Sequence, residues 1–240
     1  MLNNRLIFQS LIALVLVSIV AGCAPTRQAR SVEKTGFLGD YSMLREGERG
    51  EALMIYRNSG TDWASYHKVI LNPVTVWLGK DSHMEYVSAI DRQRLADDLW
   101  SKLLAVLEQD YQIVHKAGPG VMRVQVAITE AEESTMGLDT VSSIVPQMRA
   151  LSEIKYLATG TAGFVGKASA EAKVTDAQSG DLLLAAVDRR AGSKSIGGSL
   201  NTWNDVEETY QHWAYQTRYR LCKLRGESNC IKPEDVKENE

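Results

Sequence analysis

Residues 163–191 constrain this chain more than any other stretch. Ala168, Ala170, Ala172 and Val174 alternate there with Lys167, Ser169, Glu171, Lys173 and Thr175, the period of two that belongs to a strand. Ala177-Gln178-Ser179-Gly180 has the composition of a turn, and Asp181 to Ala191 returns as the antiparallel partner. The apolar row is mostly alanine, so a helix is expected to approach closely on that face. Any fold for this chain has to be built around a long hairpin with one small-residue face.

The other elements can be read relative to it. Ser88 to Glu108 reads as a helix. Ser88 with Asp91 three residues on resembles a capping box, and Leu95, Leu99, Leu103, Val106 and Leu107 recur on one face. Trp203 to Leu224 reads as a second helix, with Thr202 and Asp205 as caps and a stripe of Trp203, Val206, Tyr210, Trp213, Ala214, Thr217 and Leu221. Residues 138–158 carry apolar residues at helical spacing, interrupted by Pro146, and predict two short helices or one kinked helix. Tyr66 to Leu78 is β-branched and aromatic. Pro73 cannot donate to a ladder, so that strand is bulged or lies at an edge. Tyr111 to His115 is a short strand, and Gly118-Pro119-Gly120 turns into Val121 to Ala131, whose alternation suits a sheet covered on one side. The order β-α-β-β-α-β-β-α predicts α+β: a mixed, mostly antiparallel sheet of about five strands, with three helical segments mainly on one face.

Residues 63–230 are expected to form one domain, since a chain of this size suits a single core. Residues 23–62 lack a sustained period and are broken by glycines, so they read as a tether and extended arm. Phe37, Leu38, Tyr41 and Leu44 are expected to pack on the domain, with a docking peptide as the sharper alternative. Residues 231–240 read as a disordered polar tail. The chain starts with Arg5, an apolar run from Leu11 to Val20, and Val20-Ala21-Gly22-Cys23. That pattern resembles the signal peptide of bacterial lipoproteins, which implies removal of residues 1–22 and lipidation of Cys23. The whole apolar run from Leu6 to Val20, roughly 15 residues, falls short of the ~20 a spanning helix needs. Ala24 stands where, by the same resemblance, Asp would hold such a protein at the inner membrane, so the expected location is the outer membrane, facing the periplasm.

With Cys23 assigned to lipid, Cys222 and Cys230 remain as an even pair in an oxidising compartment. A disulfide between them is expected, stapling the segment after Gly226 onto the last helix.

Chemistry is hard to find. Neither G-x-S-x-G nor H-E-x-x-H occurs, and His67, His83, His115 and His212 lie at no ligand spacing, so no metal or cofactor is expected. The loop Gly192 to Ser199 has Gly198 where a phosphate-binding loop requires Lys. A net charge of −3 gives no reason to expect nucleic acid. Tyr215 and Tyr219 fall off the apolar stripe beside Arg218 and Arg220, the residue types that interface hot spots use.

Gly36-Phe37-Leu38-Gly39-Asp40-Tyr41, Trp63-x-x-Tyr66, Asn72-Pro73-Val74 and Gly118-Pro119-Gly120-Val121 together resemble an uncharacterised family of Gram-negative periplasmic lipoproteins. More remotely, the element order looks like that of outer-membrane accessory lipoproteins that activate peptidoglycan synthases or assemble in curli and exopolysaccharide secretion, an analogy of fold alone. A permanent anchor, a core-sized domain and no assembled catalytic set together give the expectation of a non-enzymatic binding or assembly protein of the envelope. It would be held to the membrane at Cys23 and would contact an envelope protein or a second copy of itself. Phe37, Leu38, Tyr41, Tyr215, Arg218 and Tyr219 are its contact candidates. The alternative is a small-ligand carrier or enzyme with a pocket near residues 192–199.

Overall fold

A computed structural model describes residues 26–79, 82–133, 166–192 and 202–233. Its strands are β1 (Thr26–Gln28), β2 (Arg45–Glu46), β3 (Met54–Arg57), β4 (Lys68–Leu71), β5 (Thr75–Val76), β6 (Gln112–Ile113), β7 (Val121–Glu132), β8 (Lys167–Asp176) and β9 (Leu182–Gly192). The helices are α1 (Ala89–Leu107) and α2 (Asn204–Leu224), and 3-10 turns occupy Trp63–Ser65 and His83–Glu85.

The expected α+β class holds, with nine strands rather than five and two helices among the described residues. The third helical segment, residues 138–158, lies outside them. The sheet runs β2-β3-β9-β8-β7-β4-β6, with β1 beside β9 and β5 beside β7. Its centre is antiparallel, β7–β8–β9. Strand β4 runs parallel to both β6 and β7, because the chain between them is carried back by α1. Pro73 breaks the expected first strand into β4 and β5. Asn72 still donates to the Val124 carbonyl at 3.0 Å and Trp77 to Ile128 at 2.9 Å, so only the proline interrupts the ladder.

Three of the extra strands come from the segment expected as tether and arm. Thr26, Arg27 and Gln28 pair with Gly192, Ala191 and Arg190, and β3 pairs with β9 from Met54–Val187 to Arg57–Leu184. The sheet therefore begins at Thr26, the third residue after Cys23. The expected domain start at residue 63 leaves these three strands out: all are too short to carry a periodic pattern, and the ladder partners of β1 and β3 on β9 lie more than 100 residues away.

One face of the sheet carries both helices. Leu95, Leu99, Leu103 and Leu107 of α1 and Val206, Tyr210, Ala214 and Leu221 of α2 pack against Val69, Met122, Val124, Ile128, Ala168, Ala170 and Val174. The alanine row of β8 admits α2 as expected. At Gly192, the last residue of β9, a Cβ would lie 2.3 Å from the Asp205 Cγ. Asp205, expected as a cap, instead accepts from the Gly166 amide at 2.8 Å, while Ser88 caps α1 as read, accepting from the Asp91 amide at 3.0 Å. The two helices run parallel. Arg94 meets Glu207 near their N-termini, and Arg218 meets Asp110 near their C-termini.

The opposite face is not open, as the alternation of β7 had suggested. The chain around Thr35–Tyr41 crosses it over β8, and Glu171 is fully buried beneath. Cys222 and Cys230 form the expected disulfide, with Cα atoms 5.7 Å apart, and Gly226 reverses the chain at φ +78°.

Candidate interaction surface

The arm is fixed by a carboxylate. Glu171 sits on the polar side of β8, and four donors converge on it. The Thr35 amide and hydroxyl both reach Oε1 at 2.8 Å, and the Leu38 amide reaches Oε2 at 3.3 Å. The Tyr41 hydroxyl donates to Oε2 at 2.5 Å and itself accepts from the Gly36 amide at 2.7 Å. Burial, then the hydrogen bond to Glu171, push the Tyr41 phenol above its ordinary pKa, so it stays a donor. Phe37 packs edge-on against Trp77, with centroids 5.8 Å apart, and lies beneath the Lys173 ammonium at 5.1 Å. Phe37 and Tyr41 thus make side-chain contacts within the chain, as the packing expectation held for these two, and Leu38 contributes its backbone amide.

The other three candidates lie on α2, on the opposite side of the sheet, so the two groups form no common surface. Tyr215 is half-buried against the core. Arg218 is held by Asp110 at 2.8 and 3.1 Å, which raises its pKa further. Tyr219 lies 5.8 Å from the Arg220 guanidinium. The aromatic and arginine pattern on α2 therefore serves the fold at Tyr215 and Arg218.

Two further acid clusters escaped the sequence reading. Asp188 is buried on the helix side of β9 and accepts from Gln28 Nε2 at 2.7 Å, Trp213 Nε1 at 2.8 Å and the Leu53 amide at 3.2 Å. Burial raises its pKa, against the pull of Arg190 at 3.9 Å and of these donors. Glu132, at the end of β7, holds Lys167 at 2.6 Å and Arg189 at 3.4 Å. Burial would raise its pKa, but these two cations outweigh it and the net shift is downward. Nothing in the sequence pointed to that pair, since Lys167 stands in the polar row of β8 and its burial is visible only in the structure.

Beside the arm lies a recess of about 40 Å³ lined by residues that include Thr35, Ser82, Thr129, Glu130 and Arg189. It has room for one or two waters. Among the described residues no three His, Cys, Asp or Glu side chains gather as a metal site, and no helix is long and apolar enough to cross a membrane. Residues 193–201, around which the alternative pocket was expected, and Cys23 lie outside the described residues.

Exposed apolar side chains are unevenly placed. Trp77, Leu78, Tyr86 and Ile90 all follow the later part of β7 in space, through the Trp77–Ile128 bond and the bond from the His83 amide to Glu130 Oε2 at 3.1 Å. Tyr86 and Ile90 are 87% and 81% exposed.

These features define a mixed α+β domain with two parallel helices on one face and an arm locked on the other. The chain belongs to the family described as "Protein of unknown function (DUF3313)", whose model matches residues 33–217. The expectation of an uncharacterised family is met. No curated protein matches the sequence. Among solved structures it is similar to a PelC dodecamer from Paraburkholderia phytofirmans, at 12% identity over 73% of this chain and 98% of that one, TM-score 0.37. It is also similar to a Caulobacter crescentus CB15 protein classed as a lipoprotein, at 9% identity over 70% and 95%, TM-score 0.34. Likeness at this level carries no function to this chain.

Proposed function

We propose that this protein is a lipoprotein of the cell envelope, held through acylated Cys23 to the outer membrane with its domain in the periplasm, and that it acts by binding rather than by catalysis. The observation that carries the reading is the small-small-Cys sequence ending an apolar run, placed three residues before the sheet begins. A binding role is supported by how the buried acids are used: Glu171, Asp188 and Glu132 each hold one element to another. The partner is an envelope protein or a second copy of the chain.

Two measurements test this. Mass spectrometry of the mature N-terminal peptide should show an acylated Cys23 in the outer-membrane fraction, and Cys23→Ala should release the protein to the soluble periplasm. Unmodified Cys23, or acylated protein in the inner membrane, refutes the anchor or the location respectively. Photo-crosslinkers placed at Tyr219 and at Ile231, which is 52% exposed, should give adducts with one envelope protein or with the chain itself. No adduct from either position, together with a strictly monomeric protein, refutes the binding role. A pocket near residues 192–199 would then be the reading to pursue.

A further inference from the structure

The end of the sheet nearest the anchor can be identified residue by residue. Thr26 pairs with Gly192, Ala191 with Lys167, and Lys167 with Glu132. The start of β1, the end of β9, the start of β8 and the end of β7 therefore form one row. The N-termini of α1 and α2 lie at the same end, since Asp205 touches Gly192 and the turn before α1 is bonded to Glu130.

Only Ala24 and Pro25 separate Cys23 from Thr26. Three residues span at most about 10 Å. The headgroup layer of a bilayer takes up roughly 5–8 Å on each side, so an acylated Cys23 leaves the row almost no clearance. Nor can β1 readily lengthen the tether. Thr26 is 2% exposed, and Arg190 donates from Nε to its hydroxyl at 2.8 Å and from Nη2 to its carbonyl at 3.3 Å.

An independent observation falls at the same place. Six large apolar residues are exposed among the described residues, and four of them, Trp77, Leu78, Tyr86 and Ile90, belong to this end. Tryptophan and tyrosine, with an apolar ring and a polar edge, suit the headgroup boundary, and an exposed isoleucine gains from leaving water. The charges in the row are mixed and paired, Glu132 with Lys167 and Arg189, so the apolar side chains and the tether length carry the argument.

We infer that this end of the domain lies directly on the bilayer, with Tyr86 and Ile90 as its principal lipid contacts. The β8–β9 turn then points away from the membrane. This rests on the acylation of Cys23 proposed above, and it adds an orientation and a lipid-binding surface which that proposal does not contain.

The test uses the full acylated chain in vesicles of phosphatidylethanolamine and phosphatidylglycerol. Single variants Tyr86→Cys, Ile90→Cys and Ser179→Cys carry an environment-sensitive dye. All three positions are on the surface, so the fold is kept. With brominated lipids, the dyes at 86 and 90 should lose emission and shift to the blue, and the dye at 179, on the order of 30 Å along β8 from the row, should do neither. Mass spectrometry of the same samples reports acylation. If the protein is acylated and the dyes at 86 and 90 behave like that at 179, the orientation is wrong and the anchor stands. If Cys23 is not acylated, both fall. Shielding of 86 and 90 only when a protein is added would assign this end to a protein contact and overturn the inference.

Discussion

Glu171 shows how a single side chain decides what one face of the sheet looks like. Its carboxylate is the common acceptor for Thr35, Leu38 and Tyr41, and hydrogen bonds to a charged group contribute about 1.5–3 kcal/mol each at best. Glu171→Ala should cost about 2–4 kcal/mol in chemical denaturation and should speed amide exchange at Thr35 and Leu38 while leaving exchange in α1 unchanged. Glu132 provides a pH test. Its folded pKa is lowered, so the stability it contributes is present above its unfolded pKa and is lost as the pH falls through the folded one. At neutral pH, Glu132→Gln should be less stable than the wild type by about 1–3 kcal/mol. The difference should vanish in acid below the ordinary glutamate range, and a difference independent of pH in thermal melts would refute the assignment.

At the level of elements, the contact of α2 with the hairpin depends on a missing side chain. A Cβ at Gly192 would meet the Asp205 side chain at 2.3–2.6 Å, so Gly192→Ala should destabilise by about 1–3 kcal/mol. Because one contact accounts for the loss, Asp205→Ala and Gly192→Ala should be non-additive in a double-mutant cycle. The long elements were legible in sequence. Leu95 to Leu107 and Val206 to Leu221 repeat at helical spacing, the alanines of β8 alternate, and Gly180 at φ +84° closes the hairpin where turn chemistry placed it. The strands of two to four residues were not, because Arg45–Glu46 or Thr26–Gln28 spans too few residues to show a period, and Thr26–Gln28 is held by a partner strand remote in sequence. Polarity misled in the same way at Glu171 and Lys167. Alternation says which side of a strand a residue faces but not whether something covers that side, and the covering arm has no pattern of its own. The contact candidates do not form one surface for a related reason: sequence showed aromatics beside arginine at 215–220, but not that the arm would lie on the other face of the sheet or that Asp110 would hold Arg218.

The whole molecule has one consistent polarity. Both helix N-termini, the first residue of β1 and the most exposed apolar side chains share one end, and the disulfide and the C-terminal end of α2 share the other. On the proposed anchor, inserting about twenty Gly and Ser residues between Ala24 and Pro25 would raise the tether's average reach to roughly 25 Å. Quenching at positions 86 and 90 by brominated lipid should then fall, and unchanged quenching would show that the apolar contacts hold the domain down unaided. The pairing of β1 also has a mechanical consequence. Tension on Cys23 along the membrane normal would pull β1 along its own axis beside β9, loading the bonds at Thr26, Arg27 and Gln28 together in shear rather than opening them one at a time. On the proposed anchor, a partner tugging on this domain would thus load all three paired residues of β1 at once rather than peel the strand from its end.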